Sequence, residues 1–237
     1  MLDDLDWELE KRGHKFVRFA DDGRIYVGSE RAGGRVMASI MRYVEQRLKL
    51  KVNREKSVVD RAVKRPLLGF GFFHRDGEIR VRVAPKALKR AKGRLRELTS
   101  RRRGISMQRR IDEINHFTVG WTAYFAFADT PSSFERLDKW LRRRLRQVRW
   151  KGWKRVRTKR RRLIALGIPE SDARQWACSR KGYWRISSSP ILHRALPTAY
   201  WTRQGLEGFL EPYRRLRDAK RTARRGPARR VVWGAPG

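Results

Sequence analysis

Residues 16–27 read FVRFADDGRIYV, and the fold class turns on how this stretch is parsed. Phe16-Val17-Arg18-Phe19-Ala20 and Arg24-Ile25-Tyr26-Val27 are two β-prone runs. Asp21-Asp22-Gly23 between them has the composition of a turn. A hairpin with two carboxylates at its tip is expected. Upstream, Leu2, Leu5 and Leu9 recur at helical spacing and Gly13 fits a C-terminal cap. Downstream, Val36, Ile40, Val44 and Leu48 share one face of a second helix, backed by Met37 and Met41. A loop with Asn53, Lys56 and Ser57 follows. Leu67 to Phe73 reads as a buried strand that Asp76-Gly77 turns into a second hairpin. On the return, Ile79, Val81 and Val83 alternate with Arg80 and Arg82.

From Pro85 the period changes from two to between three and four. Leu88, Ala91, Leu95 and Leu98 form one apolar stripe; Ile111, Ile114, Thr118, Trp121 and Phe125 form another. Ser132 with Glu135 reads as a capping box for a third helix, faced by Phe134, Leu137, Leu141, Leu145 and Val148. Short links at Gly104 and Pro131 suggest a helical bundle. The class is therefore α+β: antiparallel hairpins with helices, then an all-helical bundle and a basic helical extension. The tail from Arg214 is basic, poor in core residues and expected to fray.

The chain has 237 residues, with 60 Lys and Arg against 24 Asp and Glu, a formal charge of +36. Such a charge seeks a polyanion. Nucleic acid is the first candidate and an anionic membrane surface the second. The single Cys178 excludes an intrachain disulfide framework and a cysteine zinc cluster. His14, His74, His116 and His193 have no metal-ligand spacing. The longest mostly apolar run, Val119 to Ala128, is too short for a bilayer. The acidic N-terminus has no apolar signal core. A cytoplasmic protein is the expectation, with no membrane partner.

Residues 139–162 hold fourteen Lys and Arg and no acid, interleaved with Trp140, Trp150 and Trp153. Cations neutralise phosphates, and aromatics offer stacking faces to unpaired bases. Arg142, Arg143, Arg146, Arg149, Lys151, Lys154, Arg155, Arg160 and Arg161 are the candidate nucleic-acid contacts. The plainer reading is a helix with its tryptophans inward and its cations in water; both can hold. Asp21 and Asp22 admit two readings as well. Adjacent carboxylates on apolar strands can hold divalent cations for phosphoryl transfer, and Asp-Asp-Gly is also ordinary turn chemistry. Their apolar flanks predict partial burial. Asn53 and Lys56 could meet a nucleotide or primer, or could be solvated.

Phe19-Ala20-Asp21-Asp22 resembles the alanine-Asp-Asp box of reverse transcriptases, usually led by Tyr. Asn53 to Ser57 resembles their next block, and Leu67-Leu68-Gly69-Phe70 the one after. The run from Gly104 through Trp121, Tyr124 and Phe125 to Trp140 and Arg144 is similar to the thumb, or maturase, domain of bacterial group II intron proteins. KGYWRISSSPILHRALPTAYW is similar to the segment that follows it. The resemblance implies a partial palm over 1–84, a thumb/maturase domain over 85–150, a basic nucleic-acid-binding extension over 151–213 and a basic tail over 214–237.

Members of that family copy RNA into DNA and help their intron RNA to fold. The resemblance implies Mg²⁺ on Asp21 and Asp22, Asn53 and Lys56 near the nucleotide or primer, and thumb arginines on RNA. The implied partners are structured intron RNA, a DNA target or primer, and in one alternative a separate chain that completes the enzyme. Family blocks with a further metal-binding aspartate would precede position 1, and Asp3, Asp4 and Asp6 cannot replace it. Phe19 stands where Tyr is usual, and Gly23-Arg24 is unusual after the acid pair. The expectation is a maturase-type chain that assists splicing and mobility but does not polymerise alone, with a non-enzymatic RNA-binding splicing cofactor as the alternative.

Overall fold

A computed structural model of the protein describes residues 2–225. Its contacts divide it into two compact units, 1–67 and 68–237.

The first unit begins with helix α1 (Leu2–Lys11). Gly13, at φ 69°, ends it, and the His14 amide reaches back to the Leu9 carbonyl. Strands β1 (Lys15–Phe19) and β2 (Asp22–Tyr26) then form a two-stranded antiparallel sheet. Phe19 pairs with Asp22, so the turn is Ala20-Asp21. Ala20 takes a left-handed φ of 54°. The turn therefore lies one residue earlier than composition predicted, and Asp22 is a strand residue. Arg18 ties hairpin to helix: its Nε meets Asp6 Oδ1 at 2.8 Å, and its Nη1 donates to the Ala20 carbonyl at 3.0 Å.

Helix α2 (Glu30–Arg42) starts at Ser29, whose Oγ accepts the Ala32 amide. A π-helical turn, Tyr43–Arg47, extends it. Gly33 passes so close to Val59 that a Cβ there would lie 2.5 Å from Val59 Cγ1.

The second unit opens on a second two-stranded sheet, β3 (Phe70–Arg75) with β4 (Glu78–Val83). The sequence grouped this hairpin with 1–84; its contacts put it with the helices. Gly69, at φ 83°, brings the backbone against the Phe125 ring, and Phe70 stacks on Tyr124. Tyr124 Oη donates to the Leu68 carbonyl, and the Asp129 amide donates to the Val81 carbonyl.

Helices α3 (Pro85–Leu98), α4 (Met107–Phe125) and α5 (Pro131–Gly152) supply the core. Leu95, Leu98, Ile111, Ile114, Phe134, Leu137, Leu141 and Leu145 are all buried, on the predicted stripes. On α5 the stripe continues into Arg146, Gln147 and Trp150, while Val148 is only half-buried. Helix α5 is entered through Thr130 and Pro131, and Ser132 does not cap it. Pro131 supplies the pre-set φ of a first helical position.

Six helices follow: α6 (Val156–Ala165), α7 (Glu170–Ala177), α8 (Tyr183–Ile186), α9 (Pro190–Ala195), α10 (Thr198–Arg203) and α11 (Leu210–Arg225). Residues 214–225 thus continue a helix that packs on α4 and α5, where the sequence suggested fraying. The anchor is Tyr213, buried against Phe134, with its hydroxyl on the Ala128 carbonyl. The rest of the expected tail, 226–237, lies outside the described residues. Among the described residues no helix is long and apolar enough to cross a membrane.

Candidate nucleic-acid interface

Fourteen cations within 24 residues cannot all face one ligand if their helix is also packed. The structure sorts them. Arg146 is 5% exposed: its Nε donates to the Ser187 carbonyl at 2.9 Å and its Nη2 lies 3.2 Å from His193 Nε2. Burial, then repulsion from Arg142 and Arg143, pulls the Arg146 pKa down to about 10, so it remains a cation near neutrality. Burial, then repulsion from Arg146, Arg143 and Arg142, holds His193 below its usual range, which suits it as a neutral acceptor.

Arg143 lies over the Trp184 ring at 3.8 Å and donates to the Trp184 carbonyl. Arg149 reaches Gln204 Oε1 at 3.3 Å and lies over Tyr200. Lys151 Nζ donates to the Arg101 carbonyl at 3.1 Å. Arg160 pairs with Glu170. The C-terminal half of α5 therefore ties down the segment 183–204. Guanidinium forks suit this work because each can serve several carbonyls at once. Trp150 and Trp153 are buried against each other. Of the nine predicted contacts, Lys151, Lys154, Arg155, Arg160 and Arg161 are exposed, Lys154, Arg155 and Arg161 without one of the ties above, and Arg142 is half-buried.

A second group of cations contains only one of those candidates, Lys151. Arg96 on α3, Arg101 and Arg102 in the following loop, and Arg144 and Lys151 on α5 line a cleft of about 310 Å³. The remaining lining residues are Ser100, Gln147 and Tyr183, so no acid offsets five positive side chains. Buried Arg110 holds the loop from beneath. Its Nη1 donates to the Leu98 and Ser100 carbonyls, and its Nη2 to that of Arg103. Arg144 Nε donates to Thr99 Oγ1 at 2.9 Å, and Arg96 and Arg144 both lie over the Trp140 ring. Burial, then repulsion from Arg96 and Arg101, lowers the Arg144 pKa. The triplet Arg101-Arg102-Arg103 before Gly104 was the available sequence signal. Arg110, Gln147 and Tyr183 gave none, because each sits in an unremarkable position of its helix.

In the first unit, Asp21 and Asp22 are exposed, contrary to the partial burial expected from their flanks. A two-stranded sheet has no second layer to cover its tip. Asp6 is committed to Arg18, whose hydrogen bonds hold its carboxyl below the usual range. No three His, Cys, Asp or Glu converge among the described residues. Asp21 and Asp22 bring two exposed carboxylates, so water or phosphate oxygens would have to complete the octahedral shell of any Mg²⁺ held there. Asn53 Oδ1 accepts the Lys56 amide at 3.2 Å in a local turn, and Lys56 is exposed. Arg24 donates to the carbonyls of Arg65 and Pro66.

Residues 88–165 match the family described as Group II intron, maturase-specific domain. The match makes this stretch similar to a maturase-specific domain over about a third of the chain. It runs from inside α3 to the last residue of α6 and contains every cleft residue except Tyr183. The run from Gly104 to Arg144 that carried the thumb resemblance lies inside the matched residues, whereas the segment 181–201 lies outside them. No curated protein matches the chain.

Proposed function

We propose that the chain acts as a group II intron maturase that binds structured intron RNA through its cationic helical unit and assists splicing, without polymerising on its own. One observation carries this reading: the maturase-specific domain coincides with a surface where five lining cations and no acid surround a cleft. Exposed Lys154, Arg155 and Arg161 would extend the contact along the RNA backbone. The test is binding of structured group II intron RNA across a salt series. Affinity is expected to fall by about 10³ between 50 and 200 mM salt, as phosphate neutralisation requires. Lys154→Glu/Arg155→Glu/Arg161→Glu should weaken binding at least about tenfold. Asp21→Asn/Asp22→Asn should change it less than about twofold, since neither acid attracts phosphate. Absence of binding at moderate salt overturns the proposal.

The acid pair by itself carries no phosphoryl transfer on this reading. Primer extension with Mg²⁺ should stay at background, and Asp21-dependent synthesis by the chain alone would contradict it. A second reading gives residues 1–67 to a reverse-transcriptase palm that a separate chain completes, with Mg²⁺ held partly by Asp21 and Asp22. The apolar side chains Val17 and Phe19, both exposed on one face of β1, favour it. Association with a reverse-transcriptase fragment that restores synthesis would support it. A pull-down with no association and no synthesis excludes it.

A further inference from the structure

Residues 114–128 contain no Lys, Arg, Asp or Glu, in a chain where 35% of residues are charged. Most of this run is the second half of α4, and the rest is the turn after it. One side of the helix is buried in the core through Ile114, Thr118, Thr122 and Phe125. On the opposite side His116, Val119, Gly120, Ala123 and Tyr124 recur at helical spacing, and all are exposed. Phe127 follows at 62% exposed. Tyr124 remains 52% exposed although its hydroxyl donates to the Leu68 carbonyl, and Leu68 is exposed beside it.

A surface helix ordinarily turns charged and polar residues away from the core. Helix α3 does so with Lys86, Lys89, Arg90 and Arg94, all exposed. A helix that is apolar on both sides is normally covered on both. An apolar face left open on so charged a protein marks a contact surface. Phosphate gains nothing from it, because its side chains include no cation.

The order of side-chain sizes selects the occupant. Val119 and Gly120 lie toward the N-terminal end of the face, Tyr124 and Phe127 toward the C-terminal end. Gly120 leaves room: a Cβ built there would meet nothing within 4 Å. Lay a second α4 antiparallel on the first, with a two-fold axis between residues 121 and 122. Gly120 then stands opposite Ala123, Val119 opposite Tyr124, and His116 opposite Phe127. Each bulky end covers the other copy's slender end, and the small central pair lets the helices approach closely. Charge favours the same seam. Two copies of formal charge +36 repel, and along this face of α4 neither presents a cation to the other.

We infer that the outward face of α4 pairs with the same face of a second copy, so that the chain forms a two-fold dimer. The inference goes beyond the RNA-binding reading and does not depend on it. Its consequence is two cationic surfaces on one particle.

The test is sedimentation equilibrium of the full chain, free of nucleic acid. A dimer is expected, with a dissociation constant that falls at least about threefold between 0.15 and 0.5 M NaCl as repulsion is screened. RNA binding moves the other way with salt, which separates the two associations. Gly120→Arg sets a cation at the centre of the seam, where the monomer has room for it. It should raise the dissociation constant at least about tenfold, with no loss of thermal midpoint or of affinity for a short RNA hairpin. Ala123→Arg, at an exposed position, repeats the measurement should Gly120→Arg fail to fold. A short bismaleimide should join Ala123→Cys/Cys178→Ser to a second copy. It should not join Val156→Cys/Cys178→Ser, whose cysteine would be exposed on α6. A wild-type chain that stays monomeric at about 100 µM in 0.5 M NaCl overturns the inference. So does a dimer that both arginine variants leave intact. Loss of RNA binding by a folded, monomeric Gly120→Arg protein would give the face to RNA instead, and overturns the inference equally.

Discussion

Residues 1–67 and 68–225 show two ways of making structure from a strongly basic chain. In the first unit the buried apolar side chains among the described residues are Leu9 and Val44. Trp7, Val17, Phe19, Tyr26, Val27, Val58 and Val59 are exposed. Its elements are joined by polar ties instead: Arg18 to Asp6 and Ala20, Arg24 to Arg65 and Pro66, Arg54 to Glu45. In the second unit a continuous core runs from Val83 to Tyr213. There the arginines hold loops against a core that already exists. Exposed ion pairs contribute little each, whereas every fully buried aliphatic side chain contributes about 1.5–3 kcal/mol. Charge alone can arrange secondary structure, but a rigid binding cleft needs the core behind it.

The sharpest way to break this comparison is to truncate an apolar side chain in each unit. Leu145 is 0% exposed, so Leu145→Ala should cost about 2–5 kcal/mol in urea unfolding. Phe19 is 59% exposed, so Phe19→Ala should stay within about 0.5 kcal/mol. Equal costs would mean that the first unit hides a core.

A smaller effect is expected at the entry to α11. Asp138 accepts the Phe209 amide at 2.8 Å and the Leu210 amide at 3.0 Å. Gly208, at φ 71°, passes so close that a Cβ would lie 2.6 Å from Asp138 Oδ1. Gly208→Ala should destabilise by about 1–3 kcal/mol through left-handed strain and that clash. Gly23→Ala in the first unit meets nothing within 4 Å and should be close to neutral. Thermal melts of the two variants check both.

The smallest effect concerns pH, and its sign differs between the units. Arg18 lowers the Asp6 pKa, so the stability this pair contributes is present above the ordinary aspartate range and is lost as pH falls through the lowered value. Burial raises the Asp138 pKa against the pull of the Leu210 and Phe209 amides. Its linked contribution is full below the ordinary aspartate value and is lost as pH rises through the raised one. Below about pH 4 the helix–hairpin contact should loosen, and above that value stability should decline with a slope that Asp138→Ala removes. Urea midpoints from pH 2 to 7 measure both limbs. An unchanged slope in Asp138→Ala would place the titration elsewhere.

Much of the fold was legible because periodicity reports burial directly. The stripes on α3, α4 and α5 appear where the spacing put them, and both hairpins form. The second hairpin does not alternate as expected, because a two-stranded sheet covers little of its own surface. Ile79 is exposed, and the strand read as buried over Leu67 to Phe73 runs from Phe70 to Arg75 and is mostly half-buried or exposed. The first turn was misplaced by one residue, because Asp-Gly favours a turn locally while the strand register chose Ala20-Asp21. The candidate site was less legible. Arg142, Arg146, Arg149 and Arg155 look alike in sequence, yet Arg146 is buried, Arg149 is bonded to Gln204 and Arg155 is exposed.

The sequence alone determined the α+β class, the helical stripes and a charge that calls for a polyanion, because these depend on composition and on neighbours within a few residues. Only the tertiary structure decided which cations remain available and where they gather. That choice depends on carbonyls and rings far along the chain, as when Thr99 fixes Arg144 and Arg110 fixes the loop of Arg101 and Arg102. A guanidinium's role is set by the partners that folding brings to it, and the residue letter carries no record of them.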